Sequence, residues 1–130
     1  MNERVVQADE KNWIHVLKFI KPRLINLPRA LQMKITLSIE ELFTNIIKYA
    51  YLSEPGDITI RMEVGNCVTV EIVDNGRPYN PLERDDPDIT ADLEERQPGG
   101  LGIFMVKKFM DEFEYRNENN KNIVVIKKRL

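Results

Sequence analysis

The chain has 130 residues, 42% of them hydrophobic and 31% charged, which suits one ordinary core under a polar surface. A formal net charge of -2 argues against a nucleic-acid binder driven by phosphate contacts, and no apolar run approaches the roughly 18 residues that a membrane span needs. Cys67 is the single cysteine and excludes an internal disulfide, and the N-terminus is too polar for a signal peptide. A cytoplasmic protein with no membrane or direct nucleic-acid contact is expected.

In chain order, residues 3–8 suit a short edge strand. Asp9 is placed to cap a helix running to about Leu27, with Trp13, Val16, Leu17 and Ile20 at helical spacing and Pro22 interrupting or ending it. The next helix, from about Pro28 to Leu52, carries one apolar stripe through Leu31, Ile35, Ile39, Leu42, Phe43, Ile46, Ile47 and Ala50. Pro28 suits its start and Pro55-Gly56 its stop. Ile58, Ile60, Met62 and Val64 alternate with polar residues, Gly65-Asn66 signals a hairpin turn, and Val68, Val70 and Ile72 continue to a strand end at Asp74.

Residues 79–98 hold three prolines and seven acidic residues without periodicity, the mark of a functional lid or a mobile segment. Gly99 to Asp111 reads as a glycine loop feeding a helix, and Phe113–Tyr115 and Ile123–Ile126 as two last strands joined by a turn-rich stretch over 117–122. Helices and antiparallel strands are mostly segregated. The expected fold is α+β, a two-layer α/β sandwich with a mixed, mostly antiparallel sheet and helices on one face, forming a single domain over 1–130.

Three constellations bear chemistry, and each has a plain structural alternative. Glu41 and Asn45 stand i, i+4 on one helix face, away from the apolar stripe on a helical wheel. They are either a solvated surface or a carboxylate base beside an amide oxygen that binds magnesium. Lys48, one turn beyond, is either a phosphate contact or a surface lysine. Asp74-Asn75-Gly76 is either a strand-ending turn or a carboxylate that accepts from adenine's exocyclic amine, with Gly76 leaving room for the flat base. Gly99, Gly100 and Gly102 either link to a helix or let backbone N–H groups and the positive helix end hold phosphates. The spacing fits neither a Walker loop nor a dinucleotide fingerprint. His15 stands alone, with no nucleophile or zinc cluster around it.

In this order and on these elements, E-x-x-x-N, D-x-G-x-P and G-G-x-G resemble the Bergerat ATP-binding fold shared by histidine kinases, type II topoisomerases, Hsp90 and mismatch-repair ATPases. The stretches EELFTNIIKYAY (40–51), VDNGRPYNPL (73–82) and PGGLGIFMVKKFMDEFEY (98–115) look most like bacterial anti-sigma factor serine kinases. That resemblance spans nearly the whole chain. It implies Glu41 as general base, Asn45 on magnesium, Asp74 on adenine beside Gly76 and Pro78, and Gly99, Gly100, Leu101 and Gly102 over the phosphates. It also implies a lid over 79–98.

The implied activity is that of an ATP-dependent serine/threonine kinase. Its protein substrate would be an anti-sigma factor antagonist, its second partner a sigma factor, and its own copies would pair through the first strand and helix, with the Trp13 face as candidate. An ATP-dependent binding switch without kinase activity, controlling a different partner, stays open. A piece of a histidine kinase system fits less well, because no phospho-acceptor helix pair is present. Two departures stand out. Many members carry a late-strand threonine beside the adenine, and NNKNIVVIKKRL here has none; the lid is acidic, with Arg84 and Arg96 as its only basic residues.

Overall fold

The computed structural model describes residues 1–52, 54–83 and 100–130. Of the expected lid, 84–98 lies outside the described residues, as does Gly99. Five strands form one sheet in the order β1 (Asn2–Gln7), β2 (Asp57–Val64), β3 (Cys67–Asp74), β5 (Lys121–Arg129) and β4 (Glu112–Glu118). Among the described residues every pairing is antiparallel, with none of the parallel component that a mixed sheet would have.

Period-two alternation decides which sheet face is covered. Ile58, Ile60, Met62, Val68, Val70, Ile72, Val124 and Ile126 are buried on one face. Three helices lie over that face: α1 (Trp13–Leu24), α2 (Arg29–Asn45) and α3 (Gly100–Phe109). Each fully buried large side chain contributes about 1.5–3 kcal/mol. On the other face Arg61 sits between Glu3 at 2.9 Å and Glu71 at 3.5 Å, an arrangement that suits solvent. No helix among the described residues is long and apolar enough to cross a membrane.

Local sequence explains the element ends, with three revisions. Asp9 does cap, its Oδ1 accepting from the Lys11 N–H at 3.0 Å, but it caps a 3₁₀ turn (Glu10–Asn12) that leads into α1. Pro22 lies inside α1 rather than ending it, and α1 stops at Leu24, short of the expected Leu27. So close to the helix end, the proline removes a single donor, and Arg23 holds the last turn by donating to the Phe19 carbonyl at 2.6 Å. The second helix runs from Pro28 as cap to Asn45 and then widens into a π turn, Ile46–Ala50, closed by the Tyr51 N–H on the Ile46 carbonyl.

The last hairpin is tighter than a turn over 117–122. Asn119 and Asn120 alone make it, both in the left-handed region at φ 53° and 63°, as a two-residue hairpin turn requires. Asn117 and Asn122 therefore face each other inside the strands. Trp13 turns inward onto Phe43, ring centroids 5.8 Å apart, and leaves Ile14 as the outward apolar residue of α1.

Candidate functional site

Glu41 and Asn45 do not sit on a solvated face. Asn45 is 3% exposed, because the start of α3 packs across this side of α2. The Asn45 amide donates to the Glu41 carbonyl at 2.7 Å and to Glu41 Oε1 at 2.6 Å. Both N–H groups face Glu41, so Oδ1 points away from it and accepts from the Tyr79 hydroxyl at 3.4 Å. Glu41 reaches the first turn of α3: a Cβ added to Gly102 would overlap its carboxylate. The missing Cβ at Gly102 is thus what lets the acid rest against the helix start.

An amide oxygen is a hard donor, and magnesium keeps most of its shell as water and phosphate oxygens. Asn45 Oδ1 fits that demand. Backbone N–H groups of Gly100, Leu101 and Gly102 open α3, where an anion is favoured. Leu101 is 49% exposed.

Asp74 ends β3 on the helix-covered side, 3% exposed, between Ile58 of β2 and Asn122 of β5. Its Oδ1 accepts from the Gly76 N–H and from Asn122 Nδ2, both at 2.9 Å. Burial holds this carboxyl above its ordinary value, and the Asn122 and Gly76 hydrogen bonds offset part of the rise. Gly76 lies flat against the π turn: a Cβ there would stand 2.7 Å from the Ala50 carbonyl oxygen. The turn after β3 is clamped to the π turn by the Arg77 N–H on Ala50 O at 3.0 Å and by Arg77 Nε on Tyr49 O at 2.7 Å. Tyr51 adds a third tie, accepting from the Asn75 N–H at 2.7 Å and donating to Asp57 O at 2.8 Å. Burial pushes the Tyr51 phenol up, with the Asp74 and Asp57 charges adding and its backbone hydrogen bonds opposing.

Tyr79 and Asn122 join the two halves. The Tyr79 N–H donates to Asn122 Oδ1 at 3.2 Å while its hydroxyl reaches Asn45, and its ring stacks on Tyr49 at 5.1 Å. Neither Asn122 nor the two tyrosines is singled out by motif. Asn122 does carry a signal, since it precedes Val124 and Ile126 by two and four residues and so shares their buried face. Two expected residues stay apart from this cluster. Lys48 is exposed, because the wider π turn carries it off the face of Asn45 and brings Tyr49 there instead. Pro78 is exposed on the turn. A cavity of about 490 Å³ opens behind Gly76, beside Tyr51, Gly56 and Asp57, and neither Glu41, Asn45 nor Asp74 lines it.

A family model described as histidine kinase-like ATPase domain matches residues 6–128. The serine/threonine-protein kinase BtrW of Bordetella bronchiseptica is 29% identical over 94 residues, 71% of this chain and 66% of that protein. An anti-sigma F factor of Thermoanaerobacter sp. is 33% identical over 90 residues, 68% of this chain and 62% of that protein. The serine-protein kinase RsbW of Bacillus cereus is 29% identical over 96 residues, 70% of this chain and 60% of that protein. The alignments thus span 60–66% of the length of these curated relatives. In fold, the histidine kinase domain of the Erythrobacter litoralis EL346 blue-light activated histidine kinase superposes with a TM-score of 0.62 at 17% identity, over 93% of this chain and 60% of that one.

Proposed function

The chain belongs to the histidine kinase-like ATPase domain family, and from that premise we propose that it is an ATP-binding anti-sigma regulatory factor with protein serine kinase activity. Its substrate would be a serine of an anti-sigma factor antagonist, and its second partner a sigma factor held inactive. Relatives named anti-sigma F factor and serine-protein kinase support the reading. The observation that carries it is the Glu41–Asn45 pair, hydrogen-bonded at 2.6 Å and set against Gly102 at the opening of α3.

Each group then has a task. Asp74 accepts from the adenine amine, and Gly76 admits the base. The N–H groups at the start of α3 hold phosphate oxygens, where a helix end favours an anion. Asn45 offers Oδ1 to magnesium, once Tyr79 yields it. The bound ion would supply positive charge against the phosphates, and phosphoryl transfer depends mostly on such charge and on positioning. In the transfer, the substrate serine Oγ bonds the γ-phosphorus, the bond to the bridging oxygen of ADP breaks, and the serine proton passes to a Glu41 oxygen. A placed base of this kind contributes about 10²–10⁴-fold. Asn45 fixes the acid's orientation through its amide.

Incubation with γ-labelled ATP, magnesium and candidate antagonist proteins tests the reading. Label on a serine of one antagonist is the expected result. Nucleotide binding without transfer to any antagonist would favour a binding switch, and no nucleotide binding would remove the site.

A further inference from the structure

Asn122 holds a position that the chemistry above does not use. It is 1% exposed and all of its hydrogen-bonding groups are engaged. Its Oδ1 accepts from the Tyr115 hydroxyl at 2.5 Å, the Tyr79 N–H at 3.2 Å and Asn117 Nδ2 at 3.2 Å. Three donors around one oxygen leave the amide a single sensible orientation. The NH₂ must face the other way, and there it meets two acceptors, Asp74 Oδ1 at 2.9 Å and Arg77 O at 2.9 Å. The β5–β3 register puts this donor opposite the carboxylate.

The consequence falls on Asp74. Its Oδ1 already takes two N–H bonds, while Oδ2 takes none from the described residues. An ionised carboxylate only accepts, whereas a protonated one also donates. Burial favours the protonated form, and the two N–H bonds to Oδ1 oppose it. Asn122 supplies one of the two, and it is the one made by a replaceable side chain.

We propose that Asn122 is the positioning residue that sets base selectivity, because its amide keeps Asp74 an acceptor and so admits a purine with a 6-amino group while rejecting one with a 6-oxo group. The proposal rests on the reading of Asp74 as the base contact. An amine donates to Oδ2. An oxo group in the same place sets acceptor against acceptor, and a buried unpaired pair of that kind is costly. The family's late-strand threonine is absent, and in this chain an asparagine does the neighbouring work by direct contact with the carboxylate.

Calorimetry with the magnesium complexes of ATP and inosine triphosphate tests this, since the two ligands differ at that one purine edge. Wild-type protein should prefer ATP by about tenfold or more, the scale of one hydrogen bond to a charged group. Asn122→Asp is isosteric, keeps the acceptor for Tyr115 and Tyr79, and sets a carboxylate against Asp74, so the pair must share a proton. It should cut the preference to about threefold or less. Asn122→Thr restores a hydroxyl donor and should retain most of it.

A merely structural asparagine would weaken both ligands together and leave their ratio unchanged. An unchanged ratio in folded Asn122→Asp overturns the proposal, and so does a wild-type protein that binds both ligands equally. Should Asn122→Asp fail to fold, Asn122→Ala decides, because it removes the amide donor from Asp74 outright; a wild-type ratio there is equally fatal. Wild-type protein that binds neither nucleotide refutes the underlying site instead.

Discussion

Asp74 is a charge kept out of water, and that has a sign. Its pKa is raised on folding, chiefly by burial. Above the raised value both states are ionised, and the folded state bears the full burial cost. As pH falls, the folded protein takes the proton first, so this residue's contribution rises and is complete below the ordinary carboxylate value. Asp74→Asn removes the cost. The variant should therefore be at least as stable as wild type at neutral pH, with the advantage shrinking as pH drops into the carboxylate range. Asp111, whose carboxyl is held low by the Arg129 N–H, titrates in both proteins and cancels from the difference. The same change should weaken ATP binding about tenfold or more, because an amide can turn a donor toward the adenine amine. Thermal unfolding across pH beside calorimetry reads both effects; a variant less stable at pH 7 with unaltered binding would remove Asp74 from the base site. Glu41→Gln belongs to the same scale. It keeps the size and the hydrogen bond to Asn45 and removes the proton acceptor, so binding should persist while transfer falls about 10²–10⁴-fold. Full transfer in Glu41→Gln would end its assignment as base.

Two glycines separate the elements' structural and chemical duties. A Cβ at Gly76 would press on the Ala50 carbonyl carbon and oxygen, 2.8 and 2.7 Å away, and backbone in a clamped π turn has nowhere to go. Gly76→Ala should cost about 1–3 kcal/mol of stability. A Cβ at Gly102 meets only the end of the Glu41 side chain, which can swing aside. Alanine in a helix also gains up to about 1 kcal/mol over glycine, so Gly102→Ala should fold as well as wild type yet lose transfer, its acid displaced. Equal stability loss in both variants, by denaturant titration, would contradict this division. The elements themselves were largely legible. Alternation at Ile58, Ile60 and Met62 and again at Val68, Val70 and Ile72 exposes the hairpin, and the stripe through Ile35, Ile39 and Leu42 exposes α2. The π turn was not legible, since its residues stay apolar and its carbonyls are engaged by Arg77 from a distant turn. That widening is also why Lys48 leaves the Asn45 face on which regular helical spacing puts it. Motif reading singles out Glu41, Asn45, Asp74 and Gly102 as candidates because each is bound to a spacing. It passed over Asn122, hidden in an Asn-rich run that looks like turn, and Tyr79, whose role depends on where the turn after β3 comes to rest.

At the scale of the molecule, the site exists only in the folded state. Glu41 and Asn45 come from α2, Asp74 from the end of β3, Asn122 from the start of β5 and Gly102 from α3, and the sheet order is what brings these segments together. An unfolded chain offers magnesium-ATP none of this arrangement. Binding to the native state alone stabilises it by RT ln(1 + [L]/Kd), about 2.7 kcal/mol at a hundredfold excess over Kd. For a domain of this size that is a rise in Tm of about 10 °C. The variants should divide the rise by cause. Asp74→Asn loses the base contact and should forfeit about half of it or more, with or without magnesium. Asn45→Ala loses the magnesium ligand, so its residual shift should no longer respond when EDTA is added to ATP, whereas the wild-type shift should fall. Glu41→Gln should keep the full shift, because its loss is confined to transfer. Thermal melts of the four proteins with ATP, with magnesium-ATP and with ATP plus EDTA provide the comparison. A wild-type Tm indifferent to millimolar magnesium-ATP would rule out the nucleotide site as a whole, and an Asn45→Ala protein that still responds to EDTA like wild type would place the magnesium elsewhere.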